Sequence, residues 1–232
     1  MQKKIINSIP VLTFSIFDEF QEMGHAVFTK ETGTLSLYQG DIEQAKINRE
    51  NIKHALCLED IFYVQQIHSK EICSLNTLKS SDGIYTNEIK KPLFIATADC
   101  QAAIFYDPIK KVIANIHAGW RGLEQEIYTH TIQTLVQKFQ INPANLFVGI
   151  APSISADHFE FKENVPEKFK RFEKKPLHYD LKAYALDELC RQGLLPNHIE
   201  VADLCTYKED KLFYSYRREK TSHRQGALVW LN

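Results

Sequence analysis

Long apolar runs are missing from this chain, and so is any block of like charge. No stretch approaches the roughly 20 apolar residues a membrane helix needs, and the basic start Met1-Gln2-Lys3-Lys4 leads into Ile5-Ile6-Asn7-Ser8-Ile9-Pro10, too short and too polar for the core of a secretion signal. A soluble, cytoplasmic protein is expected. With 28 basic against 29 acidic residues, there is no nucleic-acid arm and no membrane patch, so the expected ligand is a small neutral or anionic molecule. Internal repeats, Gly/Ser linkers and low-complexity segments are absent as well, which reads as one domain over residues 1–232. The five cysteines, Cys57, Cys73, Cys100, Cys190 and Cys205, are odd in number and widely spaced. With 44% hydrophobic content the chain can bury a core without staples, so free thiols are the natural reading.

What the chain does have is a series of short apolar, β-branched or aromatic runs. They lie at Pro10 to Phe17, His25 to Thr29, Ile61 to Ile67, Leu93 to Ala98, Ala102 to Tyr106, Val112 to Ile116, Asn145 to Ile150, Ile199 to Ala202 and Ala227 to Leu231, and predict strands. Helical periodicity runs from about Ile42 to Leu58, from Gly122 to Phe139, where Leu123, Ile127, Leu135 and Phe139 share a face, and from Leu181 to Leu194. Hairpins mixed with crossover helices predict a mixed sheet. Asp107-Pro108 is a turn signal, so Ala102 to Ile116 is expected to be an antiparallel hairpin. The residue entering the first strand and the residue leaving the second then lie side by side.

Those two residues belong to motifs that carry chemistry. Thr97-Ala98-Asp99-Cys100 precedes the hairpin and His117-Ala118-Gly119-Trp120-Arg121-Gly122 follows it, while Gln65-Gln66-Ile67-His68 closes another strand-like run. One thiol and two imidazoles are donors zinc prefers, and three protein ligands leave a fourth position for water or substrate. The bland reading stands beside it: Cys is often simply buried, and a His after a strand is often a satisfied polar neighbour. Proximity of Cys100 and His117 follows from the hairpin; that of His68 does not.

These residues, together with Asp82-Gly83-Ile84-Tyr85-Thr86, Gly149-Ile150-Ala151-Pro152-Ser153-Ile154, Cys205-Thr206 and Phe213-Tyr214-Ser215-Tyr216-Arg217-Arg218, occur in one order over roughly residues 48 to 231, with Asn48-Arg49 as a weaker upstream match. In this the chain resembles the laccase-domain family, also called YfiH-like or multicopper polyphenol oxidase. The resemblance implies a layered α/β (α+β) fold of a cysteine-hydrolase-type architecture and a zinc site on His68, Cys100 and His117. It also implies phosphorolysis of adenosine, inosine and S-methyl-5'-thioadenosine, with deamination of adenosine. The copper label fits poorly, since a multicopper oxidase is built largely from His-x-His pairs, and nine histidines here form none. Copper would nonetheless bind a Cys/His/His site more tightly than zinc does.

Purine nucleoside chemistry assigns roles to the neighbours. For deamination a metal-activated water needs an acid/base partner, and Asp99 is a candidate, with a purely orienting or turn role as its alternative. For phosphorolysis an anion must be neutralised, which draws attention to Arg121 and Gly122 at a helix start and to Arg217 and Arg218, although arginines at such places are also commonly surface ion pairs. Trp120 fits a core anchor better than a purine-stacking platform. Gly119 and Gly122 read as turn residues that bring backbone amides close to a ligand. Three places depart from the family pattern: Lys30 replaces an Arg suited to bidentate phosphate binding, Ser222-His223-Arg224-Gln225 replaces a Thr-Gly-Arg element, and Phe159 replaces a Tyr. A second enzyme class is a cysteine amidase acting on peptidoglycan precursors, with Cys100 as nucleophile and His117 as base.

Overall fold

The computed structural model describes residues 1–232 and resolves the predicted mixed sheet into two. In the first sheet the order is β1 (Gln2–Ile6), β2 (Ile9–Thr13), β3 (Met23–Phe28), β14 (Gln225–Leu231), β7 (Leu93–Thr97) and β4 (Phe62–Tyr63). The second runs β13 (Ile199–Val201), β10 (Phe147–Ile150), β8 (Gln101–Asp107), β9 (Val112–Ala118), β6 (Gly83–Thr86) and β5 (Ile72–Ser74), and a small ribbon pairs β11 (Glu173–Lys175) with β12 (His178–Tyr179). Five helices accompany them: α1 (Ile42–Leu56), α2 (Trp120–Glu124), α3 (Ile127–Phe139), α4 (Leu181–Arg191) and α5 (Tyr216–Glu219). Both large sheets combine parallel and antiparallel pairs.

Strand alternation explains the layering. On β8, Ala102, Ile104 and Tyr106 face the first sheet and join a cluster with Leu93, Ile95, Ala227 and Val229, whereas Ala103 and Phe105 share the opposite face with Ile150 of β10 and join a cluster with Tyr128 of α3 and Tyr184 of α4. A strand buried on both sides loses the polar alternation of a surface strand, and every residue of β8 and β9 is indeed buried. The outer face of the first sheet is covered by α1 through Ile52, packed with Phe28, Phe94 and Leu228. The result is a four-layer helix/sheet/sheet/helix sandwich whose three apolar clusters separate the layers, each fully buried Ile or Leu contributing about 1.5–3 kcal/mol. Asn115 on β9 spans the two sheets, its Nδ2 donating to Leu93 O at 2.9 Å and Ala227 O at 2.8 Å.

Local chemistry sets the ends of the elements. Asp41 and Asp180 cap α1 and α4 by accepting from Gln44 N and Ala183 N, each at 2.9 Å. Asp107 closes the β8–β9 turn by accepting from Ile109 N and Lys110 N, both at 2.8 Å. Three expectations need correction, the first being the strand over Pro10 to Phe17, which ends at Thr13 and gives way to a single 3-10 turn over Ser15–Phe17. The single helix over Gly122 to Phe139 is broken at Glu126, whose φ of +59° turns the chain between α2 and α3, an event apolar periodicity does not register. The strand expected over Ile61 to Ile67 pairs only through Phe62–Tyr63; beyond it, the Gln66 side chain takes over the pairing, accepting from Ala96 N at 3.0 Å and donating to Ala96 O at 2.8 Å. No helix is long and apolar enough to cross a membrane.

Candidate active site

The β8–β9 hairpin pairs Ala102 with His117 and Gln101 with Ala118. Cys100, one step before the hairpin, therefore comes beside His117 and Gly119. His68 arrives from the β4 side: once Gln66 has anchored the chain to β7, the backbone at His68 takes a left-handed φ of +60°, which a non-glycine residue adopts only when held there. The His68 and His117 rings meet edge to face with centroids 4.9 Å apart. The donor atoms of His68, Cys100 and His117 all lie within 4.8 Å of one another.

What holds this arrangement is Asp82, to which the sequence reading gave no role. Its fully buried carboxylate accepts from Ile67 N (3.3 Å), His68 N (2.9 Å), Ser69 N (2.6 Å) and Ser69 Oγ (2.8 Å), and meets His117 Nδ1 at 2.8 Å. One acid thus fixes the left-handed turn that presents His68 and the ring orientation of His117. Burial opposes its charge, but the bonds from His117 and Ser69 prevail and keep the carboxyl below its ordinary range. The signal available in the sequence was the Asp at the head of Asp82-Gly83-Ile84-Tyr85-Thr86, just before β6, which lies beside β9 with Gly83 opposite Ile116.

Electrostatics favour a charged pair. Burial alone would push the Cys100 thiol up, yet the His117 charge and hydrogen bonds from His117 and His68 bring it down to about 6. Burial likewise opposes protonation of His117, and Cys100 and Asp82 reverse it, lifting the ring to about 9. A thiolate beside an imidazolium is the consequence. The donor set also fits a metal: with Nδ1 committed to Asp82, the His117 nitrogen turned to Cys100 is Nε2, and a carboxylate behind a ligating imidazole is the usual support of a zinc-binding His. Gly119 leaves the space, since a Cβ there would stand 3.1 Å from Cys100 Sγ and 3.1 Å from the His68 ring. Its φ is −76°, so room for the cluster, not turn geometry, explains the glycine.

The other candidates divide. Asp99, at φ +91°, accepts from Thr206 Oγ1 (2.7 Å), Ser215 Oγ (3.0 Å) and Arg217 N (2.6 Å). Its carboxylate is occupied in tying the Cys205-Thr206 turn and the start of α5 to the strand end that bears Cys100, which favours the orienting alternative. Arg121 and Arg217 line the cavity above the cluster. Arg121 lies over the Trp120 ring at 4.3 Å, and Arg217 donates to His158 O (3.1 Å) and Glu160 O (3.4 Å). Arg218 does not reach the cavity; its guanidinium donates to Thr206 O, Tyr207 O and Phe213 O and pairs with Glu219. Gly122 is likewise outside it, buried in α2 against Ser69 O. Trp120 anchors on Phe161 at 5.1 Å while one part of it lines the cavity. Lys30 donates to Asp210 O at 2.9 Å and is not among the lining residues, whereas Arg224 and Phe159, from the other two departing segments, are. All five cysteines are free thiols.

The cavity measures about 700 Å³. Arg49, Arg121, Arg217, Lys220 and Arg224 line it, and Asp99 is the one carboxylate among its lining residues. The cationic side chains outnumber the acidic one, a balance that suits an anionic ligand.

A four-layer sandwich with a thiol–imidazole cluster of metal-binding type on the floor of a cationic cavity defines the class of protein. The chain belongs to the family described as multi-copper polyphenol oxidoreductase laccase, whose profile matches residues 24–232. It is 36% identical over 157 residues to the purine nucleoside phosphorylase YlmD of Bacillus subtilis, covering 62% of this chain and 55% of that protein, so the match spans little more than half of that relative. It is 30% identical over 181 residues to the purine nucleoside phosphorylase YfiH of Shigella flexneri, covering 73% of each. Among solved structures, YlmD from Geobacillus stearothermophilus superposes with a TM-score of 0.86 at 24% identity, over 93% of this chain and 94% of that one. The hypothetical protein YfiH of Bacillus licheniformis gives 0.86 at 23% identity over 97% of both. At such identities the structural likeness speaks for the fold.

Proposed function

We propose that this chain is a zinc-dependent purine nucleoside enzyme that cleaves adenosine, inosine and S-methyl-5'-thioadenosine with phosphate and deaminates adenosine. The observation that carries the reading is the convergence of His68, Cys100 and His117 within 4.8 Å on the floor of a cavity lined by arginines and a lysine, in a chain whose relatives bear the phosphorylase name. Phosphorolysis needs an oxyanion desolvated, neutralised and aimed at the anomeric carbon, whose bond to the purine nitrogen breaks as the new carbon–oxygen bond forms. Guanidinium groups in a cavity walled by Phe94, Trp120, Ile154 and Phe159 suit that requirement, because removal of water strengthens each charge contact. Zinc bound by His68, Cys100 and His117 would supply Lewis-acid polarisation. Free thiols throughout accord with a reducing, cytoplasmic setting.

Purified, zinc-loaded protein given adenosine with and without phosphate tests the reading, with inosine, adenine and ribose phosphate followed by chromatography. Adenine and ribose phosphate are expected only with phosphate, inosine in both cases, and both activities vanish in Cys100→Ala and His117→Ala. Full activity in either variant overturns it.

One observation favours a second reading. Cys100, His117 and Asp82 form a thiolate, imidazolium and carboxylate relay with His117 Nδ1 2.8 Å from Asp82, the constellation of a cysteine amidase. A metal ligand is engaged and a nucleophile is free, so rapid alkylation of Cys100 in zinc-replete protein would favour the amidase. Polyphenol oxidation by copper at the same cluster lacks the His-x-His ligands that a multicopper centre needs.

A further inference from the structure

Arg49 on α1 is 6% exposed and carries a charge that no carboxylate of the protein answers. Its Nε donates to Leu35 O at 2.9 Å, Nη1 is buried with no partner, and no carboxylate pairs with it. The guanidinium is wedged between two rings, 4.5 Å from the Tyr63 centroid and 4.2 Å from that of Phe94, so its plane is fixed. Burial lowers its pKa to about 10, which still leaves it cationic at neutral pH. A buried charge without a counter-ion is strongly unfavourable, and proteins retain one where a ligand supplies the partner.

The surroundings say which partner. What remains of the Arg49 surface is part of the cavity lining, and Asp99, the one carboxylate there, is occupied by Thr206, Ser215 and Arg217 N. Arg224 lies at the same end: its Nη2 donates to Gln39 Oε1 at 2.7 Å and its carbonyl accepts from Leu35 N at 2.8 Å. The segment that accepts from Arg49 therefore also holds Arg224, which adds a second positive charge with its own donors already bonded to Thr221 O and His223 O.

We propose that Arg49 is the residue that binds the phosphate co-substrate, with Arg224 reinforcing the field; the identity of the anion rests on the phosphorolysis reading, while the need for an oxyanion rests on the unanswered guanidinium. Isothermal titration with inorganic phosphate, with adenosine 5'-monophosphate and with adenosine tests it on the wild type, Arg49→Met and Arg49→Lys. Met fills a similar unbranched volume between the rings, and a thermal melt checks that each variant is folded. Phosphate affinity is expected to fall about 10- to 100-fold in Arg49→Met and less in Arg49→Lys, which keeps the charge without the fork; the phosphate KM rises in parallel while the adenosine KM stays put. Unchanged phosphate affinity in folded Arg49→Met overturns the proposal. So does an Arg49 requirement confined to the monophosphate, which would assign the site to a phosphate borne by the substrate. Arg49-dependent phosphate binding without any ribose phosphate formation would retain the site and discard the phosphorolysis reading.

Discussion

Replacing Asp82 by Asn tests the architecture of the cluster at its base. The substitution conserves shape and removes one acceptor oxygen. Oδ2 faces Ser69 N, Ser69 Oγ and Ile67 N, whereas Oδ1 faces His68 N and His117 Nδ1. The amide nitrogen is least unfavourable on the Oδ1 side, where two donors rather than three lose their acceptor. There it confronts the His68 amide and forces His117 to accept at Nδ1, which moves the ring proton to Nε2, the nitrogen needed toward Cys100. Losing a charge-assisted bond and leaving the His68 amide unpaired destabilises the fold by about 2–4 kcal/mol. If the cluster holds zinc as proposed, the wrong tautomer is expected to weaken its binding by about 10- to 100-fold. Competition with a chromophoric chelator gives the metal affinity and a urea titration gives the stability. If Asp82→Asn bound zinc within about twofold of the wild type at unchanged urea midpoint, the assignment of Asp82 as the organiser of both histidines would be refuted.

Two further outcomes follow from separate parts of the molecule. In Gly119→Ala the new methyl stands 3.1 Å from both Cys100 Sγ and the His68 ring, and the exposed His68 ring is the group that must shift to admit it; in the zinc-loaded protein, metal affinity and turnover should each drop about tenfold, with the secondary structure seen by circular dichroism intact, and near-normal zinc binding would show that the cradle is not tight. His25 is held neutral by burial and by Lys4, at about 4 instead of 6.5, with Nε2 accepting from Phe14 N at 2.8 Å. A depressed histidine stabilises the fold fully above its unfolded value and loses that contribution as pH falls from about 6.5 toward 4, so the wild type should lose about 2 kcal/mol between pH 7.5 and 5 that His25→Gln, which can still accept from Phe14 N, does not lose. Parallel stability profiles for the two proteins over that range would contradict this.

The sequence by itself carried the β8–β9 hairpin, the core strands β3, β7, β10 and β14 and the nearness of Cys100 to His117, because these depend on alternation, a turn residue and short-range geometry, whereas the short core strands β5 and β6 escaped it. The family followed from the order of its motifs. Tertiary structure decided what lay across the sheets. Whether His68 would join Cys100 and His117 depended on Asp82 gathering the His68 and Ser69 amides together with the His117 ring, a convergence no local pattern encodes. The same holds for the arginines: Arg121, Arg217 and Arg218 stand in neighbouring motifs, yet Arg218 closes a loop by binding three carbonyls, while Arg49, far upstream and without a role in the sequence reading, is the buried cation lacking a partner. A side chain's type is written in the chain, but its counter-charges and its access to the cavity are set by elements brought together only when the two sheets pack.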